Sequence, residues 1–489
     1  MGHIIPCMTD YEYKTKPYQH QDDVLSLSWS KKNWAYFMEM GTGKSKVCID
    51  NAAMLRERGE IDTFIVVAPK GVYRNWANLE IPAHMPDRVR KDSLIAIWRP
   101  TPPRALKQDL LSFLEPAENF RILVMNIEAL STVKGQRFLV GVLKASQALL
   151  AVDESTAIKS PKASRTKALI KMSELAKYKR ILTGFPVTQS PMDLWAQCRF
   201  LDKTLLGDCG DNYFQYQYRY AVMKKQSVGT HSFNRVVGYR NLEELSGFLK
   251  NFSSRVMKED CLDLPAKIYT QRSVALSGDQ ARIYDELKKY ALAHIEDEEF
   301  MTANNVMTQL LRMQQVLSGH TKVDSGEMIE IKDNRLNELM DCLEEVEGKA
   351  IIWSRFRYDV KRITEALLKK YGPRSTVNYF GDTSDEARST AIENFQEGDA
   401  RFFVGNPQTG GYGITLTAAQ TVIYFANSFD LAIRMQSEDR AHRIGQTEHV
   451  NYIDLISEGT IDEQIVKALR NKMDIASVVM GEELKEWLR

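Results

Sequence analysis

The chain has 489 residues, 44% of them hydrophobic and 26% charged, with a formal net charge of +1. Such a length predicts two large domains rather than one core, and the near-neutral charge excludes a general attraction to nucleic acid, so any polyanion surface is local. No stretch approaches the run of about 18 apolar residues that a membrane span needs, and the six cysteines form no CxxC pair, which excludes a zinc knuckle or a disulfide framework.

In chain order, the N-terminus MGHIIPCMTDYEYKTK lacks the charged start and long apolar stretch of a secretory signal, so a soluble cytoplasmic protein with reduced thiols is expected. Next comes MEMGTGKSKVCID (38–50). Gly41, Thr42, Gly43, Lys44 and Ser45 stand just before a predicted helix. Glycines let backbone N–H groups close on phosphates, the helix N-terminus favours anions, Lys44 is long enough for terminal phosphates, and Ser45 is a candidate Mg²⁺ ligand. The stricter GxxxxGK[ST] pattern fails, because Met38 occupies its first glycine position.

Short β-branched runs then alternate with amphipathic segments: FIVVAP (64–69), RILVMN (121–126), LLAVDE (149–154) and RILTG (180–184). A second series follows: AIIWS (350–354), TVNYF (376–380), RFFVG (401–405), TVIYFA (421–426) and NYIDLI (451–456). Alternation of this kind predicts an α/β chain with parallel sheets flanked by helices, and it occurs twice. From about 200 to 340 the pattern reads as mainly helical and more polar, with a hinge near Leu264-Pro265. Asp153-Glu154 closes its strand. An isolated acidic pair there reads as a helix cap; beside a glycine-rich phosphate loop it reads as one carboxylate for Mg²⁺, Asp153, and one to orient or deprotonate a water, Glu154. Lys159, Lys162, Arg165, Lys167, Lys171, Lys177, Lys179 and Arg180 recur with few acids between them, as a polyanion-contacting surface or simply a solvated face.

Taken together, these segments resemble the Swi/Snf-type helicase-like ATPases of superfamily two. KPYQ (16–19) resembles their adenine-contacting segment, MGTGKS (40–45) motif I, VVAPKGVYRNWANLE (66–80) motif Ia, MNIEAL (125–130) motif Ib, VDEST (152–156) motif II and LTGFPVTQSPMDLW (182–195) motif III. SSRVMKEDCLDLPAK (253–267) and LLRMQQVLSGH (310–320) are similar to segments typical of this branch. Farther on, KAIIWSRF (349–356), YFGDTSDEARSTAIENFQ (379–396), TGGYGITLTAAQTVIYF (409–425) and MQSEDRAHRIGQ (435–446) resemble motif IV, the segment after it, and motifs V and VI.

The resemblance implies two tandem RecA-like lobes. Lobe 1 would cover 1–265 with a helical protrusion at about 205–260, lobe 2 would cover 266–475 with a helical insertion at about 278–335, and a short helical tail would occupy 476–489. It implies ATP and Mg²⁺ as cofactors, with Gln19 reading the adenine edge beside Tyr18, and Gln21 as the second choice. Arg440 and Arg443 align with the arginines that such enzymes extend toward the ATP phosphates. Phosphates of double-stranded DNA would be met, without sequence specificity, by Lys70, Asn126, Arg355, Gly381, Thr383, Thr409 and Gly410. The implied activity is ATP-dependent translocation along duplex DNA by a monomer; a strand-separating or branch-migrating helicase, or a binding module without turnover, are the alternatives. The matched span, about 16 to 470, leads us to expect a minimal motor of bacterial or phage type. Three positions depart from the family pattern: Thr156 stands where relatives have His, Phe185 where Thr is usual, and Phe429 where Trp is usual, with no Asn-Pro nearby.

Overall fold

The computed structural model describes residues 11–228, 231–296, 303–322, 327–381, 385–410 and 414–480. Two compact units emerge. The first comprises the described residues of 1–222, 236–262 and 474–489, the second those of 223–235 and 263–473.

In the first unit β1 (Asn33–Met38), β2 (Thr63–Ala68), β3 (Ser93–Ile97), β4 (Phe120–Asn126), β5 (Ala148–Asp153) and β6 (Tyr178–Leu182) are joined, after a hairpin, by β9 (Ser253–Val256). They form one sheet in the order β3-β4-β2-β5-β6-β1-β9, parallel throughout. Every residue of β2 and β6 is buried. That is the signature of parallel strands covered by helices on both faces, and it explains why these strands read as unbroken apolar runs. The helix Lys44–Glu57 covers part of one face and buries Val47, Cys48, Ile49, Ala52, Ala53, Met54 and Leu55 against it.

Lys179 and Arg180 lie inside β6 and are buried, which corrects their assignment to a solvated basic stretch; Lys162, Lys167 and Lys171 of that stretch are exposed. Arg180 donates to the carbonyls of Ser28 (3.1 Å), Lys31 (2.8 Å), Lys32 (3.1 Å) and Lys179 (2.8 Å) and to Asn51 Oδ1 (2.9 Å). Five bonds to neutral oxygens satisfy the buried guanidinium, and they tie the end of the helix Gln19–Ser28 to the sheet.

The region read as mainly helical is mixed. Asn212 caps the helix Tyr213–Tyr220 by accepting from Phe214 N (2.9 Å) and Gln215 N (3.3 Å). Beyond it the chain turns to strand, with β7 (Ala221–Val228) and β8 (His231–Tyr239) forming a two-stranded sheet.

The second unit holds β10 (Lys267–Ser273), the pair β11 (His320–Lys322) and β12 (Met328–Glu330), then β13 (Lys349–Trp353), β14 (Thr376–Tyr379), β15 (Phe402–Gly405), β16 (Ala419–Tyr424) and β17 (Val450–Ile456). Its main sheet runs β10-β17-β16-β13-β15-β14, again all parallel. Apolar clusters around Ile352, Phe402 and Leu455, and around Trp353, Phe403 and Tyr452, fill its faces. The two units are the expected tandem RecA-like lobes.

A buried ionic network fastens the helix Leu431–Glu438 to the second sheet. Arg434 bonds Glu438 Oε1 (2.8 Å), Asp454 Oδ1 (2.5 Å) and Asn427 Oδ1 (2.8 Å), and lies 3.6 Å from the centre of the Tyr424 ring. Glu438 also accepts from Tyr269 Oη (2.7 Å) and Lys267 Nζ (3.2 Å). Burial pushes the Glu438 carboxyl up, but Lys267, Arg434 and Tyr269 pull it further down, so it ends below its ordinary value of 4.5.

No described helix is long and apolar enough to cross a membrane. Of the described cysteines, Cys48, Cys198, Cys209, Cys342 and the partly buried Cys261 are all free thiols. The helix Ile461–Met480 runs into the predicted tail, whose residues 481–489 lie outside the described residues.

Candidate nucleotide and phosphate-contact sites

The glycine-rich loop leaves the C-terminal end of β1 and enters the helix Lys44–Glu57. Gly41 (φ +83°) and Gly43 (φ +89°) both adopt the left-handed conformation that side chains disfavour. Thr42 Oγ1 donates to Glu39 O (2.7 Å), as does Lys44 Nζ (3.1 Å), so the loop curls over its own start. Gln21 forms its wall: Gln21 Nε2 donates to Thr42 O (3.1 Å), and a Cβ at Gly43 would come within 2.2 Å of that nitrogen. Gln19 is placed elsewhere. It is exposed and bonds Asp23 Oδ1 (2.9 Å) on its own helix. Of the two glutamines it is thus Gln21 that the fold brings to the loop, with His20 Nε2 at 2.8 Å from the same Thr42 carbonyl.

Two strands away, Asp153 ends β5. Both of its oxygens are held: Trp76 Nε1 donates to Oδ2 (2.8 Å) and Glu154 N to Oδ1 (2.9 Å). Burial pushes the Asp153 carboxyl above its usual range, against the pull of the Trp76 indole, the Lys44 ammonium and the Glu154 amide. Glu154 itself is left-handed (φ 46°, ψ 59°), one of two such non-glycine residues, with Asn241, among those described. This backbone starts the 3-10 turn Ser155–Ile158 and turns the glutamate away from the line of the strand.

β6 lies between β5 and β1, and its end touches both neighbours. Thr183 Oγ1 donates to Glu154 Oε2 (3.4 Å), and the Cβ position of Gly184 is 3.3 Å from Met40 N of the loop. Thr156, at the position that departs from the family, makes no such link; its neighbour does. Ser155 Oγ donates to Gln197 Oε1 (2.6 Å), and Gln197 Nε2 donates to Pro186 O (2.8 Å), a path from motif II to motif III.

Ser45 and Asp153 fit a Mg²⁺ ion as hard oxygen donors. No cluster of three or more His, Cys, Asp or Glu able to hold a metal occurs among the described residues. Two protein oxygens would leave the remaining ligands to phosphate and water, the way Mg²⁺ is commonly bound.

The phosphate-contact candidates fall into one group in each unit. In the first, Lys70 follows β2 and Asn126 ends the paired β4, and both bond Glu128, which accepts from Lys70 N (3.5 Å) and Asn126 Nδ2 (3.3 Å). In the second, Arg355, Gly381, Thr409 and Gly410 follow the adjacent β13, β14 and β15. Asn406 joins three of them: it donates to Arg355 O (2.6 Å), accepts from Thr409 N at its own carbonyl (3.0 Å), and begins the turn that contains Gly410. Arg355 is tied to Gln314, and burial lowers the pKa of its guanidinium. Gly381 is exposed, and its carbonyl accepts from Arg388 (3.4 Å). Thr383 lies outside the described residues.

Arg440 and Arg443 belong to the second unit. Their guanidinium groups converge on one oxygen, the Ile414 carbonyl, at 3.1 and 3.3 Å. Arg440 is 3% exposed and also donates to Gln436 O (2.9 Å). Phe429 is partly buried, and its carbonyl accepts from Lys472 (2.7 Å).

Sequence reasoning missed Trp76, Gln197 and Thr183. A signal existed for Trp76, since a buried indole usually places its N–H on a partner. For Gln197 no local pattern distinguishes it.

Comparison with known proteins bears on the family. The SNF2-related domain matches residues 24–322, and the Helicase conserved C-terminal domain matches residues 332–445. The chain is 24% identical over 478 residues to the putative ATP-dependent helicase/translocase YwqA of Bacillus subtilis, covering 92% of this chain and 48% of that protein. It is 28% identical over 340 residues to the uncharacterized ATP-dependent helicase MG018 of Mycoplasma genitalium, covering 68% of this chain and 31% of that protein. The chain therefore spans about half or less of the length of these relatives. Among solved structures it is similar to the Sulfolobus solfataricus SWI2/SNF2 ATPase core in complex with dsDNA, with a TM-score of 0.43 and 24% identity, covering 96% of this chain and 95% of that one.

Proposed function

Because the chain belongs to the SNF2-related family, we propose that it hydrolyses ATP and uses the free energy to move along double-stranded DNA. One observation carries the ATPase part: Lys44, Asp153 and Glu154 gather at the C-terminal edge of one parallel sheet, with Thr183 linking Glu154 to the strand beside the loop. Lys44 and the loop amides bind the phosphates, and Gln21 rather than Gln19 serves the adenine side. Ser45 and Asp153 hold Mg²⁺, which when bound neutralises phosphate charge, and Glu154 orients the attacking water and takes its proton. By the family resemblance, Arg440 and Arg443 are the candidate cations for neutralising charge on the transferred phosphoryl group. Their shared anchor on the Ile414 carbonyl supports their acting as a unit.

The duplex part rests on family membership and on the two groups of backbone amides, small side chains and cations that follow the strand ends. Groups of that kind contact phosphates and carry no base information, so the substrate is DNA of any sequence, and displaced proteins or remodelled branches are the products of movement. ATPase rates with duplex, single-stranded, forked and four-way DNA and with RNA test the reading. Strong stimulation by duplex, together with triplex displacement and little fork unwinding, is the expected result. Equal stimulation by RNA or single strands with none by duplex would overturn it.

A further inference from the structure

The mechanism above gives no role to Trp76, yet its indole holds one oxygen of the carboxylate assigned to the metal. Trp76 is 2% exposed and packs edge-on against Phe64 of β2, 6.4 Å between ring centres. It opens a five-residue π-helix, Trp76–Glu80, set between the short α-helical turns Tyr73–Asn75 and Ile81–His84. A π-helical turn widens the helix locally, is rare, and recurs at functional positions. Here the short helix before it brings the indole N–H to 2.8 Å from Asp153 Oδ2.

The same segment carries Lys70 and Arg74, both exposed to solvent. Only five residues separate Lys70 from Trp76, and a buried indole has two torsions and no freedom to absorb a shift of its backbone. A displacement of this segment is therefore delivered to the Asp153 carboxylate. The opposite oxygen is fixed independently by the Glu154 amide, so the two donors together set the plane of the carboxylate.

We propose that Trp76 is a positioning residue: its indole N–H sets the orientation of Asp153 toward the divalent cation and links the exposed Lys70–Arg74 segment to that carboxylate. The inference rests on the ATP-site reading given above.

The test compares wild type with Trp76→Phe, which keeps an aromatic ring and removes the donor. A second variant places benzothienylalanine at position 76, where a sulfur occupies the N–H position with the ring shape retained. Binding of a methylanthraniloyl-labelled ADP is titrated by fluorescence with and without Mg²⁺. Loss of a hydrogen bond to a charged group is expected to reduce the Mg²⁺-dependent gain in affinity ~10-fold, with affinity in EDTA and the melting temperature close to wild type for the benzothienyl variant. Asp153→Asn should lose the same gain, and adding either Trp76 change to it should cost little more, because both act on one contact. Duplex stimulation of the ATPase should fall in both Trp76 variants.

An unchanged Mg²⁺-dependent gain in the benzothienyl variant overturns the proposal. So does an equal loss of affinity in EDTA, which would make Trp76 a packing residue only. If wild type itself shows no Mg²⁺-dependent nucleotide binding, the ATP-site reading fails first, a result distinct from either outcome.

Discussion

Replacing Gly43 by alanine tests the phosphate loop at the point where its geometry is least forgiving. Two costs can be worked out. A left-handed backbone at φ +89° costs an L-residue ~1–2 kcal/mol. The new methyl would also lie 2.2 Å from Gln21 Nε2, so the amide must leave the Thr42 carbonyl and forfeit a bond worth ~0.5–1.5 kcal/mol. The sum, ~1.5–3.5 kcal/mol, is released when the free loop relaxes and must be restored on binding, which weakens nucleotide affinity ~10- to several-hundred-fold. Fluorescence titration with a labelled nucleotide measures it. Gly59→Ala is the control, since Gly59 has φ +69° at the far end of the same helix with open space around its Cβ position. That change should cost stability and leave affinity alone. Gln21→Ala in the Gly43→Ala background removes the wall, so the double variant should bind better than the two single losses predict. Gly43→Ala binding like wild type, or like Gly59→Ala, would refute the reasoning.

Glu154→Gln should abolish turnover while nucleotide binding persists, and Lys44→Ala should abolish turnover with weakened binding; steady-state ATPase assays and titrations on the same preparations check both. Lys70→Ala should weaken duplex binding evenly across sequences and lower the slope of log K against log salt by ~1, read from binding at several salt concentrations. Arg180→Met removes all five hydrogen bonds of a fully buried guanidinium, leaving the Ser28 and Lys32 carbonyls with the backbone amides of Lys31 and Lys179, and should destabilise the first lobe by ~3 kcal/mol in urea unfolding. Glu438 has a folded pKa below its ordinary 4.5, so its contribution to stability is complete above that value and is lost as pH falls through the lower folded value. Thermal unfolding between pH 6 and pH 3 should show the second lobe weakening in acid below about pH 4.5, with a shallower slope in Glu438→Gln.

The strands that were legible are the ones buried on both faces. FIVVAP and LLAVDE have no polar alternation to confuse with a helix, and β2 and β5 start within a residue of them. β10, KIYTQRS, was not read as a strand because it lies at a sheet edge and alternates between half-buried and exposed residues. β9, SSRV, is another edge strand, with four residues and only two of them buried. The burial of Gln21 follows from periodicity: with Val24, Leu25 and Ser28 it forms the buried stripe of its helix, and Gln19 does not lie on it. Arg180 was misread. A cation counted as surface by composition lies in a strand whose every residue is buried, and only its five carbonyl and amide acceptors explain how. The GTGKS loop was legible because its left-handed turns demand glycine, and the acidic pair because it closes an unbroken apolar strand. The indole on Asp153 comes from a segment 77 residues away, a contact that no local pattern encodes.

The left-handed backbone at Glu154 sets stability against turnover at a single codon. Glycine or asparagine at that position would relieve about 1 kcal/mol or more of conformational cost, so a library selected only for thermal resistance should drift toward them and away from the carboxylate. Selection for ATP turnover should hold glutamate there despite the strain. Position 154 is therefore a place where the two selections, run in parallel on the same gene, are expected to diverge.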